Sequence, residues 1–201
     1  MIRLSTMFMT FFLCTLCTYA QESPTYLKFK KKRDYFEGYI LTKDSVKYKG
    51  LIQDLFSEKK KKANEVVFIT KKGMKQKYGP EGLLECGYLS KIFVSDESSF
   101  YEVVHNGPRL VLYRKYNVFI YGYGAGQRSL HVSDKKDFYL KKRSEKKFII
   151  ITKKNFTKEL SEYLQDCQAL ISKINSKTYT FNDLEKVVRD YNWCRFFRNT
   201  D

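Results

Sequence analysis

The stretch from Ser99 to Tyr121, SFYEVVHNGPRLVLYRKYNVFIY, limits the possible folds of this chain more than any other. Two runs of β-branched and aromatic side chains flank His105-Asn106-Gly107-Pro108. Asn-Gly between such runs is a strong hairpin signal, because both central residues of a type I′ turn need positive φ. With Asn106-Gly107 as a two-residue loop, Val103 is expected opposite Leu110, and Tyr101 opposite Leu112, on one face. Phe100 then faces Tyr113, and Glu102 faces Val111, on the other. The first face is almost wholly apolar and the second is mixed, which places the hairpin mid-sheet with a core on one side.

The same period of two runs through Tyr35 to Leu41, turns at Lys43-Asp44, and continues as Val46, Tyr48, Gly50 and Ile52 alternating with Lys47 and Lys49. This pattern predicts a half-buried antiparallel hairpin. A strand over Glu65 to Thr70 turns at Lys71-Lys72-Gly73 into Met74 to Tyr78, and Gly79-Pro80-Glu81-Gly82 then breaks the pattern. A short connection from Leu83 is expected to lead into a strand over Leu89 to Val94, and Phe138 to Leu140 and Phe148 to Thr152 supply the last strands. Gln21 to Asp34 reads as an extended basic lead-in, and Ser57 to Asn64, with four consecutive lysines, as a solvated loop. Gly122, Gly124 and Gly126 lack the following acidic residue and helix of a dinucleotide site, so they read as a loop between strands.

From Asn155 the period becomes helical. Phe156, Leu160, Tyr163 and Leu164 form one stripe, with Asn155 as N-cap, and Cys167, Leu170, Ile171 and Ile174 form a second. Thr180 with Asp183 reads as the cap of a third helix, Tyr179 stapling Leu184, whose stripe is Leu184, Val187, Val188 and Tyr191. The expected class is α+β: an antiparallel β-sheet domain over 35–152, a sandwich or partly open barrel, followed by a small helical unit over 153–201 packed on it.

Met1 to Ala20 has a basic start, an apolar run to Leu16 and small residues before Gln21, the pattern of a cleaved secretory signal. Removing those twenty residues from 201 leaves 181, and lowers the net charge from +16 to +15 because Arg3 is the one charged residue lost. Such an excess favours anionic partners. The alternative is that lysine is simply this chain's default solvent-facing residue, since basic residues recur almost everywhere along it. Cys86, Cys167 and Cys194 remain, spaced too widely for a zinc knuckle. Cys167 and Cys194 fall on inward faces of adjacent helices, as a disulfide in an oxidising compartment or as two buried thiols, the bond being favoured, and Cys86 reads as a small core residue.

Catalytic patterns are sparse. His105 and His131 read as a turn and a strand residue, and nothing in the spacing brings either to Cys86 as a nucleophile and base. Glu81, Glu85 and Glu102 could serve a hydrolase of envelope polysaccharide, since glycosidases need two carboxylates, but glutamates among lysines more often form surface ion pairs. No catalytic residue, metal or cofactor is therefore assigned. Tyrosines interleaved with basic residues can stack on sugars, so the candidate binding residues are Arg109, Tyr113, Arg114, Lys115, Tyr116, Tyr121 and Tyr123.

The succession Gly38-Tyr39-Ile40, Asp44-Ser45-Val46, Lys49-Gly50, Tyr78-Gly79-Pro80-Glu81, Phe100 to Tyr113, Tyr163-Leu164-Gln165-Asp166-Cys167 and Tyr191-Asn192-Trp193-Cys194 resembles a family of exported envelope proteins from Bacteroidota with no assigned activity. The first turn reads Lys43-Asp44-Ser45 where that family usually has Gly-Asp-Thr. Fusion of some members to an outer-membrane barrel implies an envelope location, and the family supplies no catalytic residue. The expectation is a non-catalytic interaction domain in the periplasm or at the cell surface. Its partner would be an anionic envelope component, lipopolysaccharide or another glycan, or an envelope protein, with nucleic acid not the first choice. The rivals are the hydrolase and a purely structural accessory domain of an outer-membrane assembly.

Overall fold

The structure, a computed structural model, describes residues 22–56, 64–123 and 127–194, and side chains in these segments except over 117–136. The expected signal peptide, the lysine run 57–63, the loop centre 124–126 and the C-terminal residues 195–201 lie outside the described residues.

Ten strands form among the described residues: β1 (Tyr35–Thr42), β2 (Lys47–Gln53), β3 (Val66–Thr70), β4 (Lys75–Tyr78), β5 (Leu83–Tyr88), β6 (Lys91–Ser95), β7 (Phe100–Asn106), β8 (Leu110–Tyr123), β9 (Gln127–Lys142) and β10 (Ile149–Ile151). All pair antiparallel in one open sheet of order β10-β9-β8-β7-β6-β5-β1-β2-β3-β4. Leu83 to Tyr88 is thus a central strand between β1 and β6, not a connection. Leu84, Cys86 and Tyr88 alternate with Glu85 and Gly87 over only five residues, and pairing on both sides is what makes this short run a strand.

The sheet is a single one, so the sandwich alternative gives way. Five strand-to-strand steps separate β2 from β8, about 24 Å along a flat sheet. Yet the ring of Phe56, just past β2, lies 4.3 Å from that of Tyr116 on β8. The sheet therefore coils on itself. Ile40, Ile52, Phe68, Cys86, Tyr88, Phe93 and Phe100 fill the concave side.

Three helices, α2 (Phe156–Tyr163), α3 (Gln168–Asn175) and α4 (Leu184–Trp193), cover the same side of β8 to β10. Their stripes are those read from the sequence: Phe156, Leu160, Leu164, Leu170, Ile174, Leu184, Val187, Val188 and Tyr191 join Leu110, Leu112, Leu140 and Ile151 in one core. Thr180 and Asp183 form the expected capping box. Asn155 stands at the expected N-cap position of α2, but its side-chain oxygen turns back to accept from Thr152 and makes no capping bond. Cys167 and Cys194 are bonded, tying the α2–α3 junction to the end of α4.

The lead-in expected to be extended is partly helical. Pro24–Lys30 forms α1, with Ser23 as N-cap accepting from the Tyr26 amide and Pro24 at the first position, where a missing N–H costs nothing. Too short for a periodic signal, α1 is held by packing Tyr26 and Phe29 on Tyr35, Leu51, Val67 and Ile69, on the convex side of β1 to β3.

The central hairpin departs from its expected register. Glu102 faces Arg114 and Val103 faces Tyr113, and after a bulge at Val104, His105 faces Leu112 and Asn106 faces Val111. Relative to a two-residue loop the pairing has slipped by three at Glu102, and an odd slip exchanges the faces. Leu110 and Leu112 therefore meet the helices, while Tyr101 and Val103 lie on the convex side with Val111 and Tyr113.

The cause is Asn192 on α4. Its side-chain oxygen accepts from the Arg109 and Leu110 amides, both at 2.9 Å, and its nitrogen donates to the carbonyls of Leu110 and Val188. Gly107 is needed for close approach, not for positive φ: a Cβ there would lie 2.0 Å from the Asn192 side-chain nitrogen. Arg109 completes the joint. Its guanidinium donates to the Tyr191 carbonyl and to Asp166, and lies 4.1 Å from the centre of the Tyr191 ring.

Two outcomes are expected. Asn192→Leu leaves two loop amides without acceptors and should lower unfolding free energy by about 3 kcal/mol in denaturant titrations. The second concerns Asp166. Burial pushes its carboxyl up, but the Tyr191 hydroxyl, Lys142 and Arg109 together hold it below the ordinary aspartate value. Its contribution is therefore complete above about pH 4 and is lost as pH falls further. Asp166→Asn should flatten this part of the acid-unfolding profile, measured as the change in denaturant midpoint between about pH 7 and about pH 3.

Candidate functional site

The candidate binding residues, Arg109 just before β8 and the others on it, are distributed over three places among the described side chains. Arg109 is engaged at the helix joint. Arg114 and Tyr116 point to the concave side, where both bond the buried Glu102. Burial and that bond push the Tyr116 hydroxyl up to about 12. Tyr113 is buried on the convex side against Phe148, and Lys115 lies over the Tyr101 ring at 5.5 Å. Tyr121 and Tyr123 continue β8, with side chains outside the described residues. Alternation along one strand separates residues that are adjacent in sequence, so this run does not form one surface.

The carboxylates considered for hydrolysis are likewise apart. Glu85 accepts from Tyr39 on the convex side, Glu102 is on the concave side, and Glu81 is exposed in the 3₁₀ turn after β4. Cys86 is fully buried in the concave core, and His105 is half-buried on β7.

A basic cleft of about 460 Å³ lies elsewhere, on the convex side between α1 and the β1–β2 hairpin. Its positive groups are Lys47, Lys49 and Lys71, and its walls include Tyr26, Tyr39, Glu22 and Glu37. Strand register builds it. Tyr39 pairs with Lys49, and the β2–β3 ladder through Gly50 and Thr70 sets Lys71 one step on, beside Lys49. Side chains opposite one another across antiparallel strands are close neighbours, and like charges there are destabilising.

Tyr39 organises the middle of the cleft. One face of its ring rests on Gly87, where an added Cβ would stand 2.7 Å from the ring. The Lys47 ammonium sits over the ring, 3.6 Å from its centre. Burial, then the bond to Glu85, pushes the Tyr39 hydroxyl well above its ordinary value, so it serves as a proton donor. Lys47, on a long flexible stem, is thereby given one seat.

The acids are held to one side. Lys30 on α1 pairs with Glu37 at 2.6 Å and with Glu22 at 3.8 Å. The bond and charge of Lys30, with help from Lys71, keep the Glu37 carboxyl below its ordinary value. The cleft thus combines three ammonium groups with two carboxylates, Glu37 on β1 and Glu22 just before α1, both drawn toward Lys30. That arrangement can hold an anion, and its carboxylates can accept from hydroxyl groups.

These lysines stand in the sequence as the polar half of an alternating strand and as part of a turn, indistinguishable there from the other basic residues. The signal that could have located them is the register Tyr39–Lys49, which follows from the turn at Lys43-Asp44. Comparison with protein-family models, curated proteins and solved structures finds no match for this chain.

If Tyr39 seats Lys47, the Lys47 side-chain methylene protons next to nitrogen should be shifted upfield by the ring current. In NMR spectra that shift should persist in Tyr39→Phe and collapse in Tyr39→Leu, with a loss of about 0.5–1 kcal/mol for the contact.

Proposed function

We propose that this chain is a non-catalytic exported protein of the cell envelope that binds an anionic envelope component, lipopolysaccharide or another glycan, through its basic surface. The observation that carries the reading is the convex cleft, in which Lys47, Lys49 and Lys71 converge while its two acids are engaged by Lys30. Like charges gathered around one cleft favour an anion there. The Cys167–Cys194 bond fits an oxidising compartment, and no described helix is long and apolar enough to cross a membrane. The resemblance to exported Bacteroidota proteins supports the same location.

The test is binding of the chain from Gln21 to Asp201 to immobilised lipopolysaccharide and to a sulfated glycan across a salt series. Affinity should fall linearly with salt on logarithmic axes, as expected when bound counterions are released. Absence of binding at low salt would overturn the proposal and mark the lysines as solubilising charge.

A further inference from the structure

The chemistry of the cleft narrows the ligand, on the premise that the basic surface binds an anion at all. Its cationic side is built from ammonium groups, without a guanidinium. Arginine offers a planar fork that fixes the orientation of a carboxylate or phosphate, whereas lysine offers a compact charge with three rotatable donors that can approach a tetrahedral anion from several directions. Lys49 on β2 and Lys71, one residue past β3, line the same cleft, and a ligand group with two charges gains more from such a pair than one with a single charge. Lys47, seated on Tyr39, closes the group from the β1 side.

The two carboxylates of the cleft point to the rest of the ligand. Glu22 and Glu37 would repel an anionic polymer lying along the cleft, but each carboxylate can accept from a neutral hydroxyl. A volume of about 460 Å³ is in the range of small-molecule sites, with room beyond a single tetrahedral anion. We propose that the cleft binds a sugar phosphomonoester, its phosphate between Lys47, Lys49 and Lys71 and its hydroxyl groups directed to Glu22 and Glu37.

Isothermal titration with glucose 6-phosphate, glucose 6-sulfate, inorganic phosphate and glucose tests this on the chain from Gln21 to Asp201. The phosphate ester should bind at least about tenfold more tightly than the sulfate ester, which has the same sugar and one charge fewer. It should also bind more tightly than inorganic phosphate, and glucose should show no heat. Lys49→Ala and Lys71→Ala should each weaken the phosphate ester about tenfold or more, with a melting temperature little changed because both side chains are exposed. Lys77→Ala, which removes a lysine paired with Glu65 outside the cleft, should leave affinity unchanged.

Equal affinity for the two esters, or full affinity in the Lys49→Ala/Lys71→Ala double variant, would overturn the proposal. Salt-dependent lipopolysaccharide binding with no response to glucose 6-phosphate would overturn it while leaving the broader reading standing. Absence of lipopolysaccharide and glycan binding overturns the broader reading by itself, and the titration still decides whether the cleft takes the phosphate ester.

Discussion

The side-chain amide of Asn192 is the interaction on which the architecture depends. An asparagine amide has two donor hydrogens and two acceptor lone pairs, and here all four are used: two loop amides, one loop carbonyl and one carbonyl of its own helix. Because Asn192 is 4 % exposed, water cannot substitute for any of these partners. The bond network sets where β7 ends and β8 begins, hence the register, hence which face of the hairpin meets the helices. Two residues later the disulfide ties the same helix to the α2–α3 junction. One short segment thus couples the helical unit internally and to the sheet.

Tyrosine plays a larger part than cross-strand packing. Seven described tyrosines donate to carboxylates: Tyr39 to Glu85, Tyr88 to Asp54, Tyr101 to Asp96, Tyr116 to Glu102, Tyr163 to Glu145, Tyr179 to Asp190 and Tyr191 to Asp166. A phenol supplies a donor on a largely apolar body, so it can satisfy a half-buried carboxylate where an ammonium would have to be desolvated. In a chain with 38 basic and 22 acidic residues, acids satisfied by phenols leave more of the lysines facing solvent. Some of these have plain structural uses: Lys75 and Lys77 on the edge strand β4 discourage pairing with another chain. Lys49 and Lys71 differ, lining the same cleft.

The cleft follows from the fold in a direct way. Coiling of the sheet turns its apolar side inward and leaves the convex side to be covered piecemeal, by α1 over β1 to β3 and by Phe148 over Tyr101, Tyr113 and Tyr139. Between these covers the convex face is open at Tyr39, Lys47 and Lys49. The same helix that bounds the cleft supplies Lys30, which draws its acids aside.

Much of this was legible in the residues. Alternation over Tyr35–Ile52, Glu65–Tyr78 and Phe100–Tyr121 required antiparallel strands. The stripe that opens with Cys167 and the one that leads to Cys194 placed both cysteines inward, and Thr180 with Asp183 marked the start of the last helix, because each signal is local and is read within a few residues. Three things were not local. Whether Asn106-Gly107 forms a tight turn depended on Asn192, more than eighty residues away in the chain. Leu83 to Tyr88 became a strand through its neighbours on both sides. The basic cleft required knowing which lysine stands beside which across β1, β2 and β3. Sequence determines the period of each segment because side-chain direction repeats with the backbone. Tertiary structure decided the register and the site, because both are set by contacts between segments whose separation along the chain carries no periodic signal.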